Sequence, residues 1–169
     1  MWIAIKNPEI LSSQLSKMAF LMSQARMSFF KKGVMFSGMN PEQTILVMLE
    51  IPKDALSGYK WRISPDFLIN IKELNNAIKQ LKKPITFDFY EDFISLMDDD
   101  KTLRIPCFAI NDTWQEPSLI FRAKHDFQLV TTLFKSPEIQ SHCSYPILLT
   151  EEGKDCSTRC IISPKELKL

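Results

Sequence analysis

Leu11, Leu15, Met18 and Met22 recur at spacings of four and three, which is one apolar stripe of a helix. Ser12, Ser13, Ser16, Lys17 and Ser23 fall on the other side. Asn7-Pro8-Glu9 supplies the start: a capping asparagine, a proline at the first helical position and an acid in the first turn. The pattern predicts a strand over 2–6, then a helix from Pro8 to near Arg26. Strand signals follow at 27–32, 34–37 and 43–51, with Gly33 and Gly38-Met39-Asn40-Pro41 at the turns.

The order then repeats. Residues 67–71 (FLINI) read as a strand. Residues 72–83 (KELNNAIKQLKK) read as a helix with Leu74, Ala77, Ile78 and Leu81 on one face. Lys72, Asn75, Asn76, Lys79 and Lys82 lie toward the other faces, and Pro84 stops the helix. Residues 85–90 alternate with period two, and 93–97, the turn Asp98-Asp99-Asp100-Lys101 and 102–108 complete a meander. A strand–helix–three-strand unit therefore occurs twice by about residue 108, an internal structural repeat. Residues 111–118 (NDTWQEPS) read as a polar connector anchored by Trp114. Beyond it, 119–124 reads as a strand, 126–136 as a helix capped by Asp126, and YPILLTEEG and STRCIIS as strands.

Composition narrows the function classes. The 169 residues are 45% hydrophobic and 11% aromatic, enough to build a core rather than a disordered tail. With 21 basic and 20 acidic residues the net charge is +1, which argues against a tail-like nucleic-acid binder but leaves room for a locally basic face. The start MWIAIKNPEI carries no secretory pattern, and no apolar run approaches a membrane span. The expectation is an intracellular protein with reduced thiols.

Gly33-Val34, Met39-Asn40-Pro41, the strand 44–50 running into Ile51-Pro52, and Tyr59 just beyond carry a resemblance. Inside the repeated strand–helix–meander, they make the chain resemble the sliding clamps of archaea and eukaryotes, the proliferating cell nuclear antigen group. The likeness covers residues 1–110 well and weakens beyond. Asn40 stands where the family usually has aspartate. The resemblance implies an α+β DNA-clamp fold: repeated β-α-β-β-β units with helices on one face of a curved antiparallel sheet. It implies an N-terminal clamp domain over 1–110, an interdomain connector over 111–119 and a partial second clamp domain over 120–169.

The resemblance also implies a function. A clamp encircles double-stranded DNA weakly and without sequence preference, contacting phosphates. It tethers DNA polymerase or other clamp-binding replication and repair proteins, and associates with itself or other clamp subunits. Strands near 102–108 and 157–163 would supply the ring-closing edges. The DNA-facing candidates are Lys17, Lys72, Lys79, Lys82 and Lys83. The helix at 126–134 has no basic residue, which favours as alternative a shortened clamp mimic that regulates another clamp without gripping DNA. The family's partner-peptide pocket maps onto Met39, Gln43, Thr44 and Leu46, with Trp114 and Leu119 from the connector. The implied setting is cytoplasm and nucleoid, or nucleus in a eukaryote, with no membrane partner.

Catalytic and metal signals are weak. His142, Cys143, Cys156 and Cys160 lack a paired C-x₂-C knuckle and read as ordinary thiols. Asp98-Asp99-Asp100 reads as a charged turn rather than a cation site. Glu50 and Asp54 do not make an acid/base pair, and only two histidines are present. The expectation is a protein that is not an enzyme and needs no cofactor or metal.

Overall fold

The structure is a computed structural model that describes residues 2–60, 65–82, 84–110, 121–122 and 147–162. The first unit is β1 (Trp2–Ile5), α1 (Pro8–Leu21), β2 (Gln24–Phe30), β3 (Gly33–Met39) and β4 (Ile45–Pro52). A 3₁₀ turn (Lys53–Ala55) leads to β5 (Leu56–Tyr59). The second unit is β6 (Asp66–Asn70), α2 (Ile71–Gln80), β7 (Ile85–Phe89), β8 (Phe93–Met97) and β9 (Thr102–Ile110). Three further strands are β10 (Phe121–Arg122), β11 (Ile147–Glu152) and β12 (Ser157–Ile162). The fold is α+β, and the predicted repeat is present.

Among the described residues the strands form one 12-stranded sheet, ordered β10-β11-β12-β4-β3-β2-β6-β9-β8-β7-β1-β5. The two units interlock with a two-fold logic. The first strand of each pairs with the second strand of the other: β1 with β7 and β6 with β2. In each unit the chain then turns back onto its own first strand. Residues 102–106 of β9 pair with β8, and residues 107–110 pair with β6. Pro106 sits at this change of partner, where its missing N–H costs no ladder bond. In the first unit the same path is split, β4 passing through the 3₁₀ turn into β5, which pairs with β1. The sequence reading missed β5, because Leu-Ser-Gly-Tyr shows little alternation. Gly58 within it lies under the Trp2 ring, where a Cβ would collide.

Both helices pack on one face over a shared core. Leu11, Leu15 and Met18 from α1 meet Leu74, Ala77 and Ile78 from α2, over Met27, Phe36, Val47, Leu49 and Phe87. Truncating a fully buried member such as Leu15 to alanine is worth about 2–5 kcal/mol. The helix contact itself is polar. The Ser12 hydroxyl donates to Asn75 Oδ1 at 2.7 Å, and Asn75 Nδ2 donates to the Ser16 hydroxyl at 2.8 Å. Ser12 and Asn75, expected on outward faces, are therefore buried between the helices.

The end of α1 and the bonding of its cap differ from expectation. α1 ends at Leu21 rather than near Arg26, because residues 24–27 are claimed by pairing with β6. Asn7 is the N-cap of α1, but its side chain makes no cap bond; Nδ2 donates instead to Asp155 Oδ2 at 2.7 Å. On α2, Asn70 does cap, accepting from the Glu73 N–H at 3.2 Å.

Strand β12 pairs with β4 over six residues, Ser157 opposite Glu50 through Ile162 opposite Ile45. Its other side pairs with β11. It is thus not the free ring-closing edge expected for 157–163. Cys156 and Cys160 join the central core.

Candidate nucleic-acid and partner interfaces

The helical face carries the lysine candidates. Lys72 and Lys79 stand exposed on α2, and neither has an ion-pair partner among the described residues. Lys82 follows α2; its N–H donates to Asp98 Oδ2 at 2.7 Å and its ammonium pairs with Asp100 at 2.9 Å. Lys17 is turned to another use. Its ammonium bridges α1 to β11 through Glu151 at 2.9 Å, with both side chains largely covered. Lys83 lies outside the described residues. Between the helices runs a groove of about 610 Å³ whose lining includes Glu9, Ser12, Ser13, Ser16, Lys79 and Lys82. Lys79 and the Ser13 hydroxyl there suit phosphate oxygens; Ser12 and Ser16 are engaged with Asn75 and Lys82 with Asp100, and Glu9 and the exposed Phe20 of α1 do not suit them.

The turn 40–44 is built around one amide. Asn40 Oδ1 accepts from the N–H groups of Thr44 at 2.9 Å and Ile45 at 2.7 Å. Its Nδ2 donates to Glu42 at 2.8 Å and to the Thr44 hydroxyl at 3.1 Å. Gln43, exposed at the tip, takes a left-handed φ of 54°. This turn brings Met39 opposite Leu46. On the sheet face away from the helices both join Met35, Met48 and Ile161 in a separate apolar cluster. The structure thus assembles two of the predicted pocket residues and sets Gln43 and Thr44 on the adjoining turn. Trp114 and Leu119 lie outside the described residues. Met35, Met48 and Ile161 were missed, although the unbroken apolar run 45–49 signalled a strand covered on both faces.

The remaining chemical candidates have structural roles. Asp98 accepts from the N–H groups of Lys82, Asp100 and Lys101, and these bonds, Lys82's foremost, hold its carboxyl below the usual range. Glu50 pairs with Arg159 across β4 and β12. Burial pushes the Cys160 thiol up to about 12. It also pushes Cys107 up to about 11, with the Asp92 charge adding to it, and Cys156 upward. Such buried thiols stay protonated at neutral pH, which makes them poor nucleophiles. His142 and Cys143 lie outside the described residues. Among the described residues, no helix is long and apolar enough to cross a membrane.

No protein-family model and no curated protein sequence matches the chain. Solved structures do. The chain is similar to A. fulgidus PCNA bound to the C-terminal region of FEN-1, at TM-score 0.71 and 12% identity over 99% of both chains. Entamoeba histolytica proliferating cellular nuclear antigen aligns at TM-score 0.69 and 11% identity, over 97% of this chain and 98% of that one. The Helicobacter pylori beta clamp bound to a DNA ligase peptide aligns at TM-score 0.59 and 15% identity, over 71% of this chain and 34% of that one. Together with the interlocked units and the paired helices on one face, these likenesses show that the chain has the sliding-clamp fold.

Proposed function

We propose that this chain acts as a sliding-clamp-like processivity factor or clamp subunit, which encircles double-stranded DNA and tethers replication or repair proteins. The observation that carries the reading is the pair of interlocked β-α-β-β-β units with both helices on one face. Related folds are seen bound to a FEN-1 region and to a DNA ligase peptide, and a PCNA2–PCNA3 complex from Sulfolobus tokodaii shows that such chains associate. In this reading the connector at 111–119 joins two clamp-type regions. Lys72 and Lys79, with Lys82 and Lys83, face phosphates, while Lys17, also a candidate, is held by Glu151. Met39 and Leu46 floor a peptide pocket, with Gln43 and Thr44 at its rim and Trp114 and Leu119 closing it. Residues 102–106 of β9, which pair only with β8 among the described residues, offer a ladder to another subunit. The role calls for no chemistry of the chain's own.

Native mass over a range of protein concentrations tests association. Retention on circular but not linearised duplex DNA tests encirclement. A closed oligomer that stays on circles supports the reading, and equal loss from both DNA forms overturns it.

A specific observation favours a second reading, a clamp mimic that binds another clamp without gripping DNA. Lys17, the lone basic residue of α1, is tied to Glu151. A persistent monomer that is retained by a full-length clamp and ignores circular DNA would select this alternative.

A further inference from the structure

The β11–β12 hairpin lies along the flank of α1 and is fixed there. Six residues of β12 pair with β4, and Cys156 and Cys160 are buried in the central core. Three polar contacts then join the hairpin to α1. At the helix start, Asn7 Nδ2 donates to Asp155 Oδ2 at 2.7 Å. The Thr158 hydroxyl donates to Gln14 Oε1 at 3.3 Å. One turn on, the Lys17 ammonium meets both carboxylate oxygens of Glu151, at 2.9 and 3.2 Å. Glu151 stands directly opposite Thr158 in the β11–β12 ladder, so a strand pair sets the carboxylate in place before any ligand arrives.

Without Glu151, Lys17 belongs to the outward side of α1. Ser13 lies four residues before it and Phe20 three after, positions that share its face of a helix, and both are exposed. Ser13 lines the groove between the helices that also holds Lys79. Yet the Lys17 side chain is only 17% exposed, against 81% for Lys82 in its own pair with Asp100. An exposed pair is worth little and exchanges readily for another anion. Breaking a covered pair leaves a poorly solvated charge behind. We propose that Glu151 acts as an intramolecular phosphate substitute, an autoinhibitory contact through which β11 holds the one basic residue of α1 back from duplex DNA and weakens the grip of the helical face. The inference rests on the clamp reading, since it takes the helical face as the DNA-facing one. A purely structural clasp made of the same three contacts predicts a change in stability and none in DNA binding.

The test is fluorescence anisotropy with a labelled DNA duplex of mixed sequence. It compares the full chain with Glu151→Gln, Lys17→Gln and the Lys17→Gln/Glu151→Gln double variant. Glu151→Gln is expected to bind at least about threefold tighter at low salt and to steepen the slope of log K against log salt by about 1, as one more phosphate contact requires. Lys17→Gln alone binds as the parent does. In the double variant the gain disappears, whereas a general loss of negative charge would leave it intact. A second readout needs no DNA: acylation of Lys17 by N-hydroxysuccinimide acetate, followed by mass spectrometry against Lys72, should speed up in Glu151→Gln. Matching circular dichroism establishes that the variants fold. Unchanged duplex binding in Glu151→Gln, a gain that survives the loss of Lys17, or unchanged acylation would each overturn the restraint. Lys72→Glu/Lys79→Glu separates this from failure of the clamp reading. Binding that this variant weakens but Glu151→Gln ignores sinks the restraint alone. Binding that it leaves unweakened, or absent from every chain, sinks the clamp reading and the restraint with it.

Discussion

Asn40 shows how much one side chain specifies. Aspartate at this position could still accept from Thr44 and Ile45, but it loses the Nδ2 donor that meets Glu42 at 2.8 Å. Asn40→Asp sets two carboxylates together and is expected to cost about 1–3 kcal/mol at neutral pH. The deficit shrinks as pH falls through the carboxylate range and one group protonates. Thermal melts of parent and variant at several pH values check this. Asp98 works in the opposite sense. Backbone N–H groups, Lys82's first, depress its folded pKa, so its stabilisation is present above the unfolded value near about 3.9. It is lost as pH falls through the lower folded value. The Tm gap between the parent and Asp98→Asn should therefore be larger at pH 7 than in acid, and a constant gap would refute the account. Both residues were visible in sequence as turn formers. Their partners were not, since Glu42 and Lys82 are ordinary surface residues until the chain turns.

Elements were legible where burial follows a simple period. The stripe Leu11, Leu15, Met18 and the alternation over 85–89 both became core. The failures come from long-range pairing. Met22, Gln24, Ala25 and Arg26 have respectable helix propensity, yet Ala25 pairs with Ile69 and Arg26 with Leu68. A ladder bond to a neighbouring strand outweighs propensity differences of a few tenths of a kcal/mol. The polar face of α1 was read as solvated because serine is usually exposed. Here small hydroxyl residues let α2 approach, and Asn75 satisfies them in turn. Asn75→Ala removes both bonds and leaves Ser12 without its partner. Chemical denaturation should show a loss of about 1–3 kcal/mol with little change in slope. An unchanged midpoint would mean that water substitutes for the amide.

For the whole molecule, the balance of charge matters more than its sum. The net charge is +1, and the described helices offer Lys72 and Lys79 against Glu9 and Glu73 on exposed positions. Duplex binding by this face should be weak and steeply salt-dependent. Lys72→Glu/Lys79→Glu is expected to weaken it and to reduce the slope of log K against log salt by about 2. By itself, the sequence determined the repeated strand–helix–meander, the helix core stripes and a turn at Asn40-Pro41, because these depend on periodicity and local backbone preference; Gly38 and Met39, expected in that turn, extend β3 instead. Only the tertiary structure decided that β12 zips onto β4, that Lys17 is spent on Glu151, and that Met35, Met48 and Ile161 join Met39 and Leu46. The physical reason is that strand register and ion pairing join residues about a hundred positions apart, and no local pattern encodes which distant edge or charge will be the neighbour.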